Sequence, residues 1–208
     1  MPYSHGKRSL VMEFLKIKRA LISVTDKSNL VEFANFLMQG GVEIISTGGT
    51  KKKLEQAGIK VTSVSDVTKF PEILNGRVKT LHPHIHAGIL ADKENSKHME
   101  TLEKLNIKPF DLICVNLYNF EGALKQGLKG KDLIEQIDIG GPTLLRAAAK
   151  NYFSVAVVPD TTFYKEIIDE LKNNDFSISL KLRKKMAAKT FYITSNYDKM
   201  IYESLSKE

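Results

Sequence analysis

Apolar residues along the chain follow two alternating rhythms. Short runs rich in aliphatic and β-branched residues read as strands: RALISV (19–24), VEIIS (42–46), VTSV (61–64), FDLICVNL (110–117) and SVAVV (154–158). Between them, KSNLVEFANFLMQ (27–39) places apolar residues at 30, 31, 34, 37 and 38, the spacing of one helix face, and Gly40-Gly41 stops it. TKKKLEQAG (50–58), residues 94–106, KDLIEQI (131–137), GPTLLRAAAKN (141–151) and TTFYKEIIDELKN (161–173) read as further helices. Pro142 suits a first helical turn, and residues 178–205 read as helical and basic. The stretch 66–92, with Pro71 and Pro83, shows no clear periodicity and reads as a long loop, a feature that in compact domains tends to be functional.

Strand–helix alternation predicts an α/β fold with a mainly parallel sheet covered on both faces. In such sheets ligands bind beyond the carboxyl ends of the strands, so the loops after residues 24, 46, 64, 117 and 158 are where chemistry is expected. A length of 208 residues and an apolar share of 42% suit one domain with a real core. We expect that domain over 19–208, preceded by an extension (1–18), with Met1 or Met12 as initiator. One cysteine, Cys114, sits inside an apolar run and reads as a buried strand residue, which fits a reducing, cytoplasmic setting. No apolar run approaches the roughly 20 residues of a membrane span, and residues 1–19 do not read as a secretory signal.

The net charge of +7 raises the question of nucleic acid. Residues 1–19 hold five Lys/Arg against one Glu, and 181–208 hold seven against three acids, which leaves 20–180 at net −1. A nucleic-acid module carries its basic stripe on the folded part, often with stacking aromatics, so no nucleic-acid partner is expected.

Several strand ends carry candidate chemistry. SVTDK supplies Ser23, Thr25, Asp26 and Lys27; STGGT supplies Thr47, Gly48, Gly49 and Thr50. Paired glycines before a helix let unpaired N–H groups and the positive dipole end meet a phosphate. The same residues also suit a plain turn with a threonine cap. Arg77 and Lys79 can grip an anion, the lysine gaining proton-carrying ability from its cationic neighbour, or can be a solvated basic loop. DIGGPT (138–143) is a second candidate anion nest. Lys150, ending that helix, can be a mere dipole partner. His82, His84 and His86 alternate as a strand-borne metal site would, but Pro83 interrupts them and no carboxylate or thiol lies near. They are expected to hydrogen-bond or pack, with no metal.

Together SVTDK, STGGT, FPEILNGRVKTLHPHIHAGIL, NLY, QIDIGGPTLLRAAAKN and YD (197–198) closely resemble the IMP cyclohydrolase domain of the bifunctional purine-biosynthesis enzymes, from about Arg19 to about residue 204. The resemblance implies a methylglyoxal-synthase-like, three-layer α/β/α fold with C-terminal helices. It implies ring closure of formylaminoimidazole carboxamide ribonucleotide (FAICAR) to IMP and water, with no metal or cofactor, in a homodimer. Nucleotide-binding segments are implied at Ser23, Thr25–Lys27, Thr47–Thr50 and Arg77, Val78, Lys79 and Thr80. A base-facing wall is implied at Val115, Asn116, Asp138 and Ile139, and Gly140 is implied as a further substrate-binding residue. Lys79, Tyr118, Asp138 and Lys150 match the chemical residues.

The chain departs from the family at Asn119, where proline is usual, in its N-terminal extension, and in the absence of a transformylase domain, which a separate partner could supply. Two rival readings are a non-catalytic domain for a phosphorylated effector and a lyase acting on a triose phosphate. The first does not need the Lys79, Tyr118, Asp138 and Lys150 set. The second needs a differently placed aspartate pair.

Overall fold

A computed structural model describes residues 12–206. Its centre is a five-stranded parallel sheet in the order β4-β3-β2-β5-β6, formed by β2 (Arg19–Ser23), β3 (Glu43–Ser46), β4 (Thr62–Ser63), β5 (Leu112–Val115) and β6 (Ala156–Val158). All residues of β5 and β6 are buried, which is why their sequences are continuous apolar runs rather than alternating ones. Helices α1 (Leu30–Gln39) and α2 (Gly48–Gln56) connect β2 to β3 and β3 to β4. The chain then crosses to the other side of β2 through α3 (Val64–Thr68), α4 (Pro83–Leu90) and α5 (Ser96–Lys104), and enters β5. Strand order therefore reverses between β2 and β5, the switch point where α/β sheets open a ligand crevice.

Beyond β5 come α6 (Phe120–Lys125), α7 (Gly130–Ile134) and α8 (Gly140–Lys150), then β6, α9 (Tyr164–Asn173) and the long α10 (Leu180–Leu205). The main core unites β2, β3, β5 and β6 with Phe33, Leu37, Leu54, Ile85, Leu145 and Ile167, all shielded from solvent. A satellite core of Phe120, Ala123, Leu133 and Tyr197 lies under α6, α7 and α10. Cys114 is buried in β5 as expected, and burial pushes its thiol up to about 12.

Three differences from the sequence reading have physical causes. First, the stretch 66–92 is not one loop: Pro83–Leu90 is a helix, with Pro83 in its first turn and His82 as its cap. Only Ile85 and Ile89 of its side chains reach the core, too few to set a visible period. Gly88 lies so close to Lys108 that a Cβ there would stand 2.9 Å from the Lys108 carbonyl oxygen. Second, Phe120–Lys125 is helical, and Asn119 caps it by accepting the Gly122 N–H at 2.8 Å, a use for the residue that replaces proline. Third, residues 14–16 form a strand, β1 (Phe14–Lys16), antiparallel to β7 (Ser177–Ser179). Strands of three residues carry no readable alternation. The expected extension thus contributes a strand here, while its residues 1–11 lie outside the described residues.

Arg183 fastens this second sheet to the body. Its guanidinium has no exposed surface and donates to the carbonyls of Met12, Glu13, Tyr152 and Phe153.

Candidate active site

The carboxyl ends of β2, β3 and β5 open into a cavity of about 630 Å³. That size is typical of a small-molecule site. Two helix N-termini face it. At α2, Thr47 precedes Gly48 (φ 46°) and Gly49, and no side chain caps the helix. The threonine cap of the plain-turn alternative is not formed: the Thr47 hydroxyl instead meets Ser23 Oγ at 3.0 Å, so the N–H groups of the first turn stay open to an anion. Thr50 is buried and shares two hydrogen bonds with the Val24 backbone, which pins the start of α2 to the end of β2. Thr50 is therefore a brace for the cradle, not a free donor. At α8, Ile139 to Gly141 also lacks a side-chain cap on Ile139, and the Asp138 carboxylate accepts the Gly141 N–H at 2.9 Å.

Between the two helix ends stand the cations. Lys79 Nζ lies 3.2 Å from Glu72 Oε1, and the Arg77 guanidinium pairs with Glu135. They follow a turn in which Leu74, Asn75 and Gly76 all have positive φ (54°, 53° and 87°). Gly76 is favoured there by its φ, and a Cβ would crowd the ends of the Glu72 and Lys79 side chains, which would have to swing aside. Thr80 is buried and packs against the start of α8, its hydroxyl 3.0 Å from where a Cβ on Gly140 would be.

The remaining wall is carried by Val115, Asn116, Tyr118, Ile137, Asp138 and Ile139. Asn116 proves to be a clamp on the neighbouring loop. Its Oδ1 accepts the N–H groups of Thr25 and Asp26 at 2.6 and 2.9 Å, and its Nδ2 donates to the Asp26 carbonyl at 3.0 Å. Lys27 Nζ donates to the carbonyls of Val24 and Thr25, closing the same turn. Burial raises the Asp138 carboxyl above the usual carboxylate range, against the lowering pull of the Gly141 and Tyr118 backbone N–H groups and of Lys79. A half-buried carboxyl with raised proton affinity beside a lysine and a phenol is a proton-transfer group in waiting.

Most sequence-predicted residues converge here. Ser23, Thr25, Lys27, Thr47, Gly48, Gly49, Thr50, Arg77, Lys79, Thr80, Val115, Asn116, Tyr118, Asp138, Ile139 and Gly140 line one cavity. Asp26, Val78 and Lys150 do not. The Asp26 carboxylate turns back to Ser28 and is exposed to solvent. Val78 exchanges backbone hydrogen bonds with Ile73. Lys150 is exposed at the far end of α8, about 15 Å along the helix from Gly140.

The histidines belong to a helix, so their alternate spacing does not gather them on one face. His82 Nδ1 accepts the His84 N–H, His84 Nδ1 approaches the Val67 carbonyl at 3.4 Å, and burial lowers the proton affinity of His86. Among the described residues no three His, Cys, Asp or Glu side chains come together as a metal site.

Sequence reasoning missed Glu72, Glu135, Gly141 and Tyr197. Gly141 was visible in DIGGPT, and Tyr197 in the YD pair, but no local spacing ties Tyr197 to a cavity residue 59 positions away.

The chain resembles several known proteins. Residues 148–208 match the AICARFT/IMPCHase bienzyme family. The chain is 55% identical over 193 residues to the bifunctional purine biosynthesis protein PurH of Lactobacillus acidophilus, covering 92% of this chain and 37% of that protein. It is 53% identical to PurH of Acetivibrio thermocellus, with the same shares. The chain thus spans well under half the length of these curated relatives. The crystal structure of ForH superposes with a TM-score of 0.80 at 29% identity, over 91% of this chain and all of that one. The MGS-like domain family matches residues 29–143, more than half of the chain, and the chain belongs to that family.

Proposed function

We propose that the protein is an IMP cyclohydrolase that closes FAICAR to IMP with loss of water. The observation that carries this reading is the convergence of Lys79, Tyr118 and Asp138 on one cavity flanked by two helix N-termini, that of α2 without a side-chain cap. Phosphate binds at the α2 end, where Gly48, Gly49 and Arg77 offer N–H groups and charge. Glu135 releases Arg77 to it.

The carboxamide nitrogen then attacks the formyl carbon of the same molecule. A C–N bond forms and the formyl oxygen gathers negative charge. Much of the acceleration comes from holding both groups in one planar pose against Val115 and Ile139. Lys79 stabilises the oxyanion. Asp138 takes one proton from the attacking nitrogen and the oxyanion becomes a hydroxyl by taking a proton from the Tyr118–Lys79 side; the C–O bond then breaks, the oxygen leaves as water with a second proton, and the ring C=N bond forms as the nitrogen gives up its remaining N–H proton. No metal or redox group is required by this balance. Lys150, outside the cavity, is given no contact with the reacting atoms.

The rival triose-phosphate lyase needs a pair of aspartates on the substrate, whereas the cavity presents one aspartate, Asp138, and one glutamate, Glu135, which faces Arg77. Assaying the protein on FAICAR and on a triose phosphate separates the readings: turnover of the first alone is expected, and turnover of the second alone overturns the proposal. Among the described residues no helix is long and apolar enough to cross a membrane. A cytoplasmic homodimer, working with a transformylase activity that supplies FAICAR, completes the reading.

A further inference from the structure

The wall that carries Tyr118, Ile137 and Asp138 rests on two cores, Leu117 packing against both. The satellite core of Phe120, Ala123, Leu133 and Tyr197 lies directly behind Ile137, and α10 contributes its tyrosine. Tyr197 is almost fully buried and packs edge-on to Phe120, ring centroids 6.3 Å apart. Its phenol oxygen accepts the backbone N–H of Asp138 at 2.8 Å and donates to the carbonyl of Gln136 at 3.4 Å. The hydroxyl thus bonds both sides of the backbone turn that delivers the Asp138 carboxyl, while Gly141 N–H fixes the carboxyl from the other side.

From this geometry we infer that Tyr197 is a positioning residue for Asp138, and that α10 is thereby part of the active site. The inference rests on the cyclohydrolase reading for its kinetic consequence. Tyr197 touches no cavity space and acts only through the aspartate. The groups around that carboxyl are Lys79, Tyr118 and the Tyr197 phenol, with Asp198 next in line on α10.

Tyr197→Phe removes the oxygen and keeps the ring. The expected result is a kcat on FAICAR lowered about tenfold or more, the worth of one hydrogen bond holding a reacting group. KM should stay within about twofold. Freed from the turn, the carboxyl is better hydrated, so the low-pH limb of kcat moves to lower pH. Tyr197→Met, which also lacks the hydroxyl but fills the space, must show the same kcat loss. Phe120→Leu loosens the same satellite core with the hydroxyl intact and should lower Tm while costing less kcat than either Tyr197 variant and leaving the pH profile in place.

Unchanged kcat and profile in both Tyr197 variants overturn the inference. So does a Phe120→Leu variant that loses kcat equally. An inactive wild-type chain would reject the functional reading instead. Amide hydrogen exchange at Asp138 still tests the tie in that case, with faster exchange expected in Tyr197→Phe and unchanged exchange overturning it.

Discussion

Gly141→Ala separates catalysis from stability. An added Cβ would lie 2.4 Å from Asp138 Oδ2, 2.9 Å from Asp138 Cγ and 3.0 Å from Leu117 Cδ2. Ordinary packing needs about 3.5 Å, so the carboxyl must retreat by roughly 1 Å or the first turn of α8 must shift. Retreat is the easier course, because a carboxyl at a cavity wall has space to rotate. Its hydrogen bond to the Gly141 N–H is then broken. A misplacement of about 1 Å in a reacting group lowers kcat roughly 100-fold. Folding changes less. Overpacking costs about 1–3 kcal/mol, and alanine recovers up to about 1 kcal/mol of helix propensity. At about 2–4 °C per kcal/mol, Tm should fall by no more than about 8 °C. Following IMP formation by chromatography at saturating FAICAR, alongside a thermal melt, reads both quantities. A variant that melts normally and keeps kcat within twofold of the parent would refute the placement of the Asp138 carboxyl against Gly141.

Other outcomes follow from the same geometry. Lys79→Ala should lower kcat by about 100-fold or more while IMP affinity changes little; a rise in KM alone would make Lys79 a binding residue. Asp138→Asn should lose at least about 100-fold in kcat and gain thermal stability at neutral pH. The native fold holds the Asp138 carboxyl above its unfolded value, so its ionisation weakens folding as pH rises through the ordinary carboxylate range to that raised value. The Asn variant's advantage in Tm should therefore vanish below about pH 4, and an advantage independent of pH would contradict the cause given. Arg183→Met strips donors from four backbone carbonyls and should destabilise the fold by more than about 3 kcal/mol in urea titration, with activity per folded molecule preserved.

The central strands were legible because a parallel sheet buried on both faces writes itself as continuous apolar runs, as in LICV of β5. The helix Pro83–Leu90 was not, because its packing depends on Ile85, Ile89 and a glycine pressed against a distant carbonyl. The site followed the same division. Its glycine loops lie at strand ends, where topology alone says to look. The partners that set the behaviour of those residues come from far along the chain: Glu135 for Arg77, Asn116 for the Thr25–Asp26 turn, Tyr197 for Asp138. Lys150 shows the converse, a residue in register with a motif that the pitch of α8 carries away from the cavity.

The central claim is that this cavity closes the purine ring with its own side chains. Its most direct measurement is the initial rate of IMP formation when the purified protein meets FAICAR in buffer containing a strong chelator. Turnover far above the uncatalysed rate is expected, saturable in FAICAR and unaffected by the chelator. A rate equal to background, or one that disappears with chelation and returns with zinc, would contradict it.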